Sequence, residues 1–222
     1  MVVWAKSGDG RVTERNDAAG DAAIVHVIDD DESMREALDS LLRSVGLEVR
    51  TYGSTREFLD SKRPDVPGCL VLDIRLPGVS GLDFQAQLAE WGISLPVVLM
   101  TGHGDIPMSV QGMKAGAIDF LPKPFRDQDM LDAVAAALEQ DKSQRTAAAS
   151  QAELEARFAT LSSRERQVMA LVTAGKMNKQ VAGDLDLSEI TVKIHRGSAM
   201  RKMSARTLPD LVRMAEALNL HP

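Results

Sequence analysis

The chain has little that could staple it together. A single cysteine, Cys69, leaves no partner for an intrachain disulfide, and its setting in the apolar run Cys69-Leu70-Val71-Leu72 reads as a buried structural thiol. Aromatic residues make up only 4% of the chain, so cores within its 44% apolar composition must be built from Leu, Val, Ile, Ala and Met. No run approaches the ~18 apolar residues of a membrane span, and Met1 to Trp4 is too short for a signal-peptide core. A cytoplasmic protein with no membrane partner is the expectation. A length of 222 residues allows one large domain or two small ones.

Charge divides the chain where composition does not. Residues 1–141 hold 13 Lys and Arg against 24 Asp and Glu, a net charge of −11, whereas residues 142–222 hold 13 against 8, a net charge of +5. The C-terminal part is therefore the candidate for nucleic-acid contact. Charge alone equally describes a solvated basic surface, so motifs must decide.

Residues 1–22 are rich in Gly, Asp, Ala and Asn without an apolar period, and read as a disordered tail. From Ile24 short, mostly unalternating apolar runs begin, as strands buried on both faces require. They predict strands at 24–28, 48–52, 69–72, 97–100 and 119–121. Met34, Leu38, Leu41, Leu42 and Val45 fall on one helical face that Gly46 should end. An α/β fold with a doubly wound five-stranded parallel sheet is expected over 23–140. Its last helix, carrying Met130, Leu131, Val134 and Leu138, should close that domain near Gln140. A Gln, Ala, Glu and Arg-rich stretch over 141–160 reads as a helical linker with little core of its own. Residues 161–222 show only helical periods and read as an all-α domain. There Ser162-Ser163-Arg164-Glu165 has the form of a capping box, and Pro209 stands near the first turn of a last helix.

Three carboxylates fall at predicted strand ends: Asp29 and Asp30 after the first strand, and Asp73 after the third. The C-terminal ends of adjacent parallel strands converge on one crevice. Three negative charges there call for a cation, and Mg2+ suits a few carboxylate oxygens, a backbone carbonyl and waters. Thr101 and Lys123 follow the next two strands, and a hydroxyl and an ammonium facing a metal-bound carboxylate are what a phosphoryl group needs. A lone Asp-Asp pair is more often a helix cap; the whole set is harder to explain that way. Asp31 and Glu32 read as cap and first turn of the first helix. His26 and His103 show no metal-ligand pattern and read as noncatalytic. Met108 and Met113 read as packing one helix face.

The segments VIDDDES, LVLDIRLPGVSG, LMTGHGD and AGAIDFLPKPF resemble, in order and spacing, the signature blocks of response-regulator receiver domains, which have a flavodoxin-like fold. That resemblance implies that Asp73 accepts phosphate and that Asp29, Asp30, Asp73 and the main-chain carbonyl of Arg75 hold Mg2+. It also implies that Thr101 and Lys123 bind phosphoryl oxygens, that Thr101 and Phe120 act as switch residues, and that the Lys123–Pro124 bond is cis.

In the C-terminal part, tight turns at Gly175 and Asp186 separate short helices, compatible with a helix-turn-helix. The predicted third helix interleaves Thr191, Lys193, His195, Arg196 and Arg201 with Val192, Ile194 and Met200, which read as buried anchors. The run from Leu161 to Met203, followed by Thr207 to Ala215, resembles the LuxR-type helix-turn-helix, and with the receiver it is similar to the FixJ branch of the FixJ/NarL regulators. By that match Lys193, Ile194 and Gly197 face base edges, while Lys179, Thr191, His195 and Arg201 lie near phosphates. Gly197 departs from the family, which often has a long side chain there, and Arg196 is the candidate to replace it.

The function so implied is a two-component response regulator, not an enzyme, although the receiver could catalyse its own phosphorylation and slow dephosphorylation. A sensor histidine kinase would phosphorylate Asp73, and the protein would then form a homodimer on double-stranded promoter DNA and act with RNA polymerase. Two rivals stand beside it. A phosphatase with an aspartyl intermediate would need a substrate-cap segment, and none is visible. A phosphate-independent DNA-binding regulator would lack acidic-site residues, and all are here.

Overall fold

The computed structural model describes residues 23–102 and 106–220. The expected tail over 1–22 and His103 lie outside the described residues. The chain divides into two compact units between Asp141 and Lys142.

The first unit alternates β1 (Ile24–Ile28), α1 (Glu32–Ser44), β2 (Glu48–Tyr52), α2 (Thr55–Asp60), β3 (Gly68–Asp73), α3 (Gly81–Gln87), β4 (Val97–Thr101), α4 (Ile106–Lys114) and β5 (Asp119–Pro122), followed by α5 (Asp127–Ala159). All strand pairs are parallel, in the order β2-β1-β3-β4-β5. The register sets Ile24 beside both Glu48 and Gly68, Leu70 beside Val97, and Val98 beside Asp119. Every residue of β1, β3 and β4 is buried, which is why these strands read as unbroken apolar runs, whereas edge strand β2 carries exposed Glu48 and Thr51.

Alternation along the strands supplies two cores. Val25, Val27, Cys69, Val71, Val98 and Met100 face one side, against Leu38 and Leu42 of α1 and Met130, Val134 and Ala137 of α5. Ile28, Leu70, Leu72, Val97 and Leu99 face the other, against Phe58 of α2 and Leu82 and Phe84 of α3. Each of these large side chains contributes about 1.5–3 kcal/mol by leaving water. Cys69 is fully buried as expected, and burial pushes its thiol up to about 12. Asp31 caps α1, its side chain accepting from Ser33 N. Val45 is 53% exposed rather than on the buried face, because α1 stops at Ser44 and the chain turns through Gly46 at φ +86°. Met108 packs on the second core, but Met113 is 46% exposed.

The first unit closes at Asp141, but the helix that closes it does not end there. No Gly or Pro interrupts residues 127–159, and α5 runs through the predicted linker as one helix of 33 residues. Asp141 is buried, its Oδ2 accepting from Gly68 N at 2.9 Å.

In the second unit, Leu154 and Phe158 of α5, the large apolar residues of this stretch, pack partly buried on a core formed with α6 (Ser163–Thr173), α8 (Glu189–Lys202) and α9 (Leu208–Ala217). Val168, Val172, Val181 and Val192 form a second cluster with α7 (Asn178–Leu185). Ser162 and Glu165 make the predicted capping box.

Candidate functional site

The acidic crevice is made by the ends of β1, β3, β4 and β5. Asp29 and Asp73 are buried and Asp30 is exposed, yet one carboxylate oxygen from each lies within 4.8 Å of the others. Local bonds fix two of them. Asp29 Oδ1 accepts from Asp31 N at 2.9 Å, and Asp73 Oδ1 accepts from Arg75 N at 3.0 Å. Arg35 Nη1 donates to the Asp29 carbonyl oxygen at 2.8 Å, holding α1 to the end of β1. A glycine is required at 81: a Cβ there would collide with the Asp73 carbonyl oxygen and stand 2.8 Å from Ile74 Cα. Gly81 thus lets α3 start hard against the end of β3.

Lys123 reaches across the sheet to both buried carboxylates, Nζ lying 2.6 Å from Asp29 Oδ2 and 2.7 Å from Asp73 Oδ2. Its main chain is tied to β4, Lys123 N donating to the Thr101 carbonyl oxygen at 2.7 Å, and the Lys123–Pro124 bond is cis. Burial pushes the Asp29 carboxyl above its usual range, although the Lys123 ammonium opposes this. For Lys123 burial works against the charge, but hydrogen bonds and attraction from Asp29 and Asp73 outweigh it and hold the ammonium above the usual lysine range. Two carboxylates and one ammonium leave excess negative charge in a partly desolvated crevice. Thr101, buried, ends β4 opposite Pro122, and Phe120 in β5 packs half-buried on the second core.

His26 is a core group. Its Nδ1 lies 3.1 Å from Tyr52 Oη, and burial, with help from Arg50 and Arg63, lowers its pKa to about 4.

In the second unit, α7 ends at Asp186 in the left-handed region (φ 54°), and Ser188 caps α8 two residues later. The two helices and this turn form the helix-turn-helix. Val192 is the buried anchor of α8, and Met200 is half-buried. Ile194, expected as an anchor, is 64% exposed, because it follows Lys193 on the outer face rather than the face of Val192. Lys179, Lys193, Gly197 and Arg201 are exposed, and Thr191, His195 and Arg196 half-buried. Arg196 Nη1 donates to Asn178 Oδ1 at 3.4 Å, joining α8 to α7. A Cβ on Gly197 would meet nothing within 4 Å. The fold therefore gives no reason for a residue that costs an exposed helix about 1 kcal/mol relative to Ala.

One polar cluster escaped the sequence reading. Glu165 does more than cap α6: its Oε1 accepts from Ser198 Oγ at 2.6 Å and its Oε2 accepts from Lys202 Nζ at 2.7 Å. The Lys202, Ser198 and Ser162 contacts hold its carboxyl down at about 2. The spacing of Ser198 and Lys202, one turn apart, was the available signal.

Both units have counterparts among known families. Residues 25–135 match the response regulator receiver domain, and residues 159–215 match the bacterial regulatory proteins of the luxR family. The chain belongs to the response regulators that join a receiver to a LuxR-type DNA-binding domain, a family of transcriptional regulators of the FixJ type. It is 58% identical to Nodulation protein W of Bradyrhizobium diazoefficiens over 96% of this chain and 92% of that one. It is 46% identical to the transcriptional regulatory protein FixJ of Azorhizobium caulinodans over 89% of this chain and 94% of that one. Among solved structures it resembles the response regulator StyR, with a TM-score of 0.79 at 49% identity over 88% of this chain and 98% of that one. Among the described residues no helix is long and apolar enough to cross a membrane.

Proposed function

We propose that this regulator is a cytoplasmic switch, phosphorylated on Asp73 by a sensor histidine kinase, that then dimerises and binds double-stranded promoter DNA to regulate RNA polymerase. The observation that supports this best is the Lys123 ammonium held 2.6 and 2.7 Å from the buried Asp29 and Asp73 carboxylates. A carboxylate oxygen of Asp73 attacks phosphorus as the bond to the kinase imidazole breaks, and the electron pair returns to the imidazole nitrogen. Lys123 then gives up part of its carboxylate contacts for a phosphoryl oxygen, and the Thr101 hydroxyl donates to another. Loss of that arrangement from the resting crevice draws Thr101 and Phe120 inward.

The donor set fits Mg2+, being three clustered carboxylates with no soft ligand among them. Asp29, Asp30, Asp73 and the Arg75 carbonyl would hold it, and when bound it neutralises charge between carboxylate and phosphoryl oxygens. In the second unit, Lys193, Ile194 and Gly197 face base edges, with Arg196 beside them. Lys179, Thr191, His195 and Arg201 meet phosphates. Dimerisation sets two α8 helices in adjacent half-sites.

Asp73→Asn should abolish labelling by acetyl phosphate with magnesium, and should also block the shift from monomer to dimer in sedimentation. Labelling that persists in the variant would sink the assignment of Asp73.

A further inference from the structure

The most exposed large apolar side chain of α8 has no part yet in DNA contact. Ile190 stands 73% exposed on the first turn, and Ile194, one turn on, is 64% exposed. Neither serves the core, whose contact from this helix segment is Val192. Residues 190, 193, 194 and 197 form one outer stripe at helical spacing. The stripe is apolar at Ile190 and Ile194, cationic at Lys193 and bare at Gly197, in a region of net charge +5.

We infer that Ile190 is a specificity-determining residue, which reads the 5-methyl group of a thymine close to the base pair met by Lys193. This deepens the DNA-binding reading of α8 and rests on it. The occupant of the stripe must offer both negative charge and small apolar features. The major groove does: its phosphates attract the basic region, and the thymine methyl is its one apolar group. A protein partner would be drawn to the isoleucines, but the surrounding cations favour a polyanion. Four residues separate Ile190 from Ile194, about 6 Å along the helix, against about 3.4 Å per base step. The two side chains therefore reach methyl groups one or two base pairs apart. Gly197, with no Cβ, allows the helix axis to lie close enough for side chains as short as isoleucine to touch.

The test uses the full chain, treated with acetyl phosphate and magnesium, on a random duplex library to select preferred sites. Each thymine of a selected half-site is then replaced by deoxyuridine, which removes only the methyl. Wild type should bind about fourfold more weakly at a thymine read by Ile190, the effect of one methyl group. Ile190→Ala should erase that fourfold difference at this thymine and keep any difference at a thymine read by Ile194. Ile190→Val should retain it. Because the side chain is exposed, the substitution should leave helical circular dichroism unchanged, and that is checked in parallel. If Ile190→Ala keeps every deoxyuridine effect, or binds all duplexes like wild type, the inference is overturned and the stripe faces something other than thymine. The parent reading fails on a different arm: it falls if Lys193→Ala selects the same sites with undiminished preference.

Discussion

The two units treat their charged residues in opposite ways. In the receiver unit Asp29, Asp73 and Lys123 are turned inward on one another, with Lys123 16% exposed and Asp29 wholly buried. In the C-terminal unit Lys179, Lys193 and Arg201 are turned outward, and the buried charge is instead the structural Glu165. Chemistry on a phosphoryl group needs groups held in advance at strand ends, whereas attraction to a polyanion needs donors that give up water only on binding. The first arrangement should therefore couple function to stability, and the second should separate them.

The strongest way to break that contrast lies in the crevice. Lys123→Met removes the ammonium and leaves two buried carboxylates facing each other. Unfolding of the receiver unit, followed by Trp91 fluorescence in urea, should show a loss of about 4 kcal/mol at neutral pH without divalent cations. The sign of the pH dependence follows from Asp29. Its folded pKa lies above the ordinary value and rises further without Lys123, so the folded state takes up protons more readily than the unfolded one. The variant should regain stability as pH falls towards the usual carboxylate range, and also on adding magnesium. A loss below about 1 kcal/mol with no response to magnesium would mean that crevice and stability are not coupled.

Glu165 gives the converse case, a buried carboxylate with no expected part in DNA contact. Glu165→Ala should destabilise the C-terminal unit by about 1.5 kcal/mol, since it removes the hydrogen bonds that tie α6 to Ser198 and Lys202 of α8, a pair partly open to water. Here the folded pKa is depressed from 4.5 to about 2. That contribution is complete above the unfolded value of 4.5 and is lost as pH falls towards about 2. Hydrogen exchange of α6 and α8 amides, corrected for intrinsic rates, should show wild type weakening across that window. The Ala variant should weaken less across it, keeping the contribution of Asp210, whose carboxyl is also held down by Thr207 and Arg213, and equal slopes would refute the assignment.

How far all this was legible in the chain depends on burial. β1, β3 and β4 announced themselves because both faces are covered, and Asp29, Asp30, Asp73 and Lys123 could be placed together because parallel strands end on one edge. Helices α2 and α3 were harder to place: with six and seven residues they span fewer than two turns, and only the caps Ser54 and Ser80 mark them. The change in composition after Gln140 marks a domain boundary but no helix stop, and nothing breaks α5 before Ala159, so last helix and helical linker are one element. Ile194 does not fit the anchor reading, because apolar character predicts burial only where a partner face exists, and its exposure leaves room for the base-edge position that the family resemblance implies. Asp141 went unnoticed because its partner is the backbone of Gly68, far away in sequence.

On the outward-facing side, Lys193→Ala should cost about 2 kcal/mol on a cognate duplex and far less on random DNA, if Lys193 meets base edges as proposed. Lys179→Ala, in the preceding helix, should weaken both duplexes equally and lower the salt slope by about one unit. Neither should change the urea midpoint. If Lys193→Ala weakens both duplexes alike, Lys193 is a phosphate contact and the placement of α8 in the groove is wrong.

The smallest effect separates fold from function most finely. Gly183 in α7 and Gly197 in α8 are both exposed, both inside helices, and a Cβ on either would meet nothing within 4 Å. Each Gly→Ala substitution should therefore stabilise the C-terminal unit by about 1 kcal/mol through helix propensity alone. Their effects on DNA should differ. At 183 nothing is expected beyond the added stability. Gly197, on the stripe with Lys193 and Ile194, is where the helix backbone would come nearest the bases, so a methyl group there should weaken cognate binding while the protein becomes harder to unfold. Thermal melts and binding isotherms of the two variants side by side decide it. Tighter or unchanged binding by Gly197→Ala would show that the groove keeps its distance at that position and that the missing side chain serves no contact.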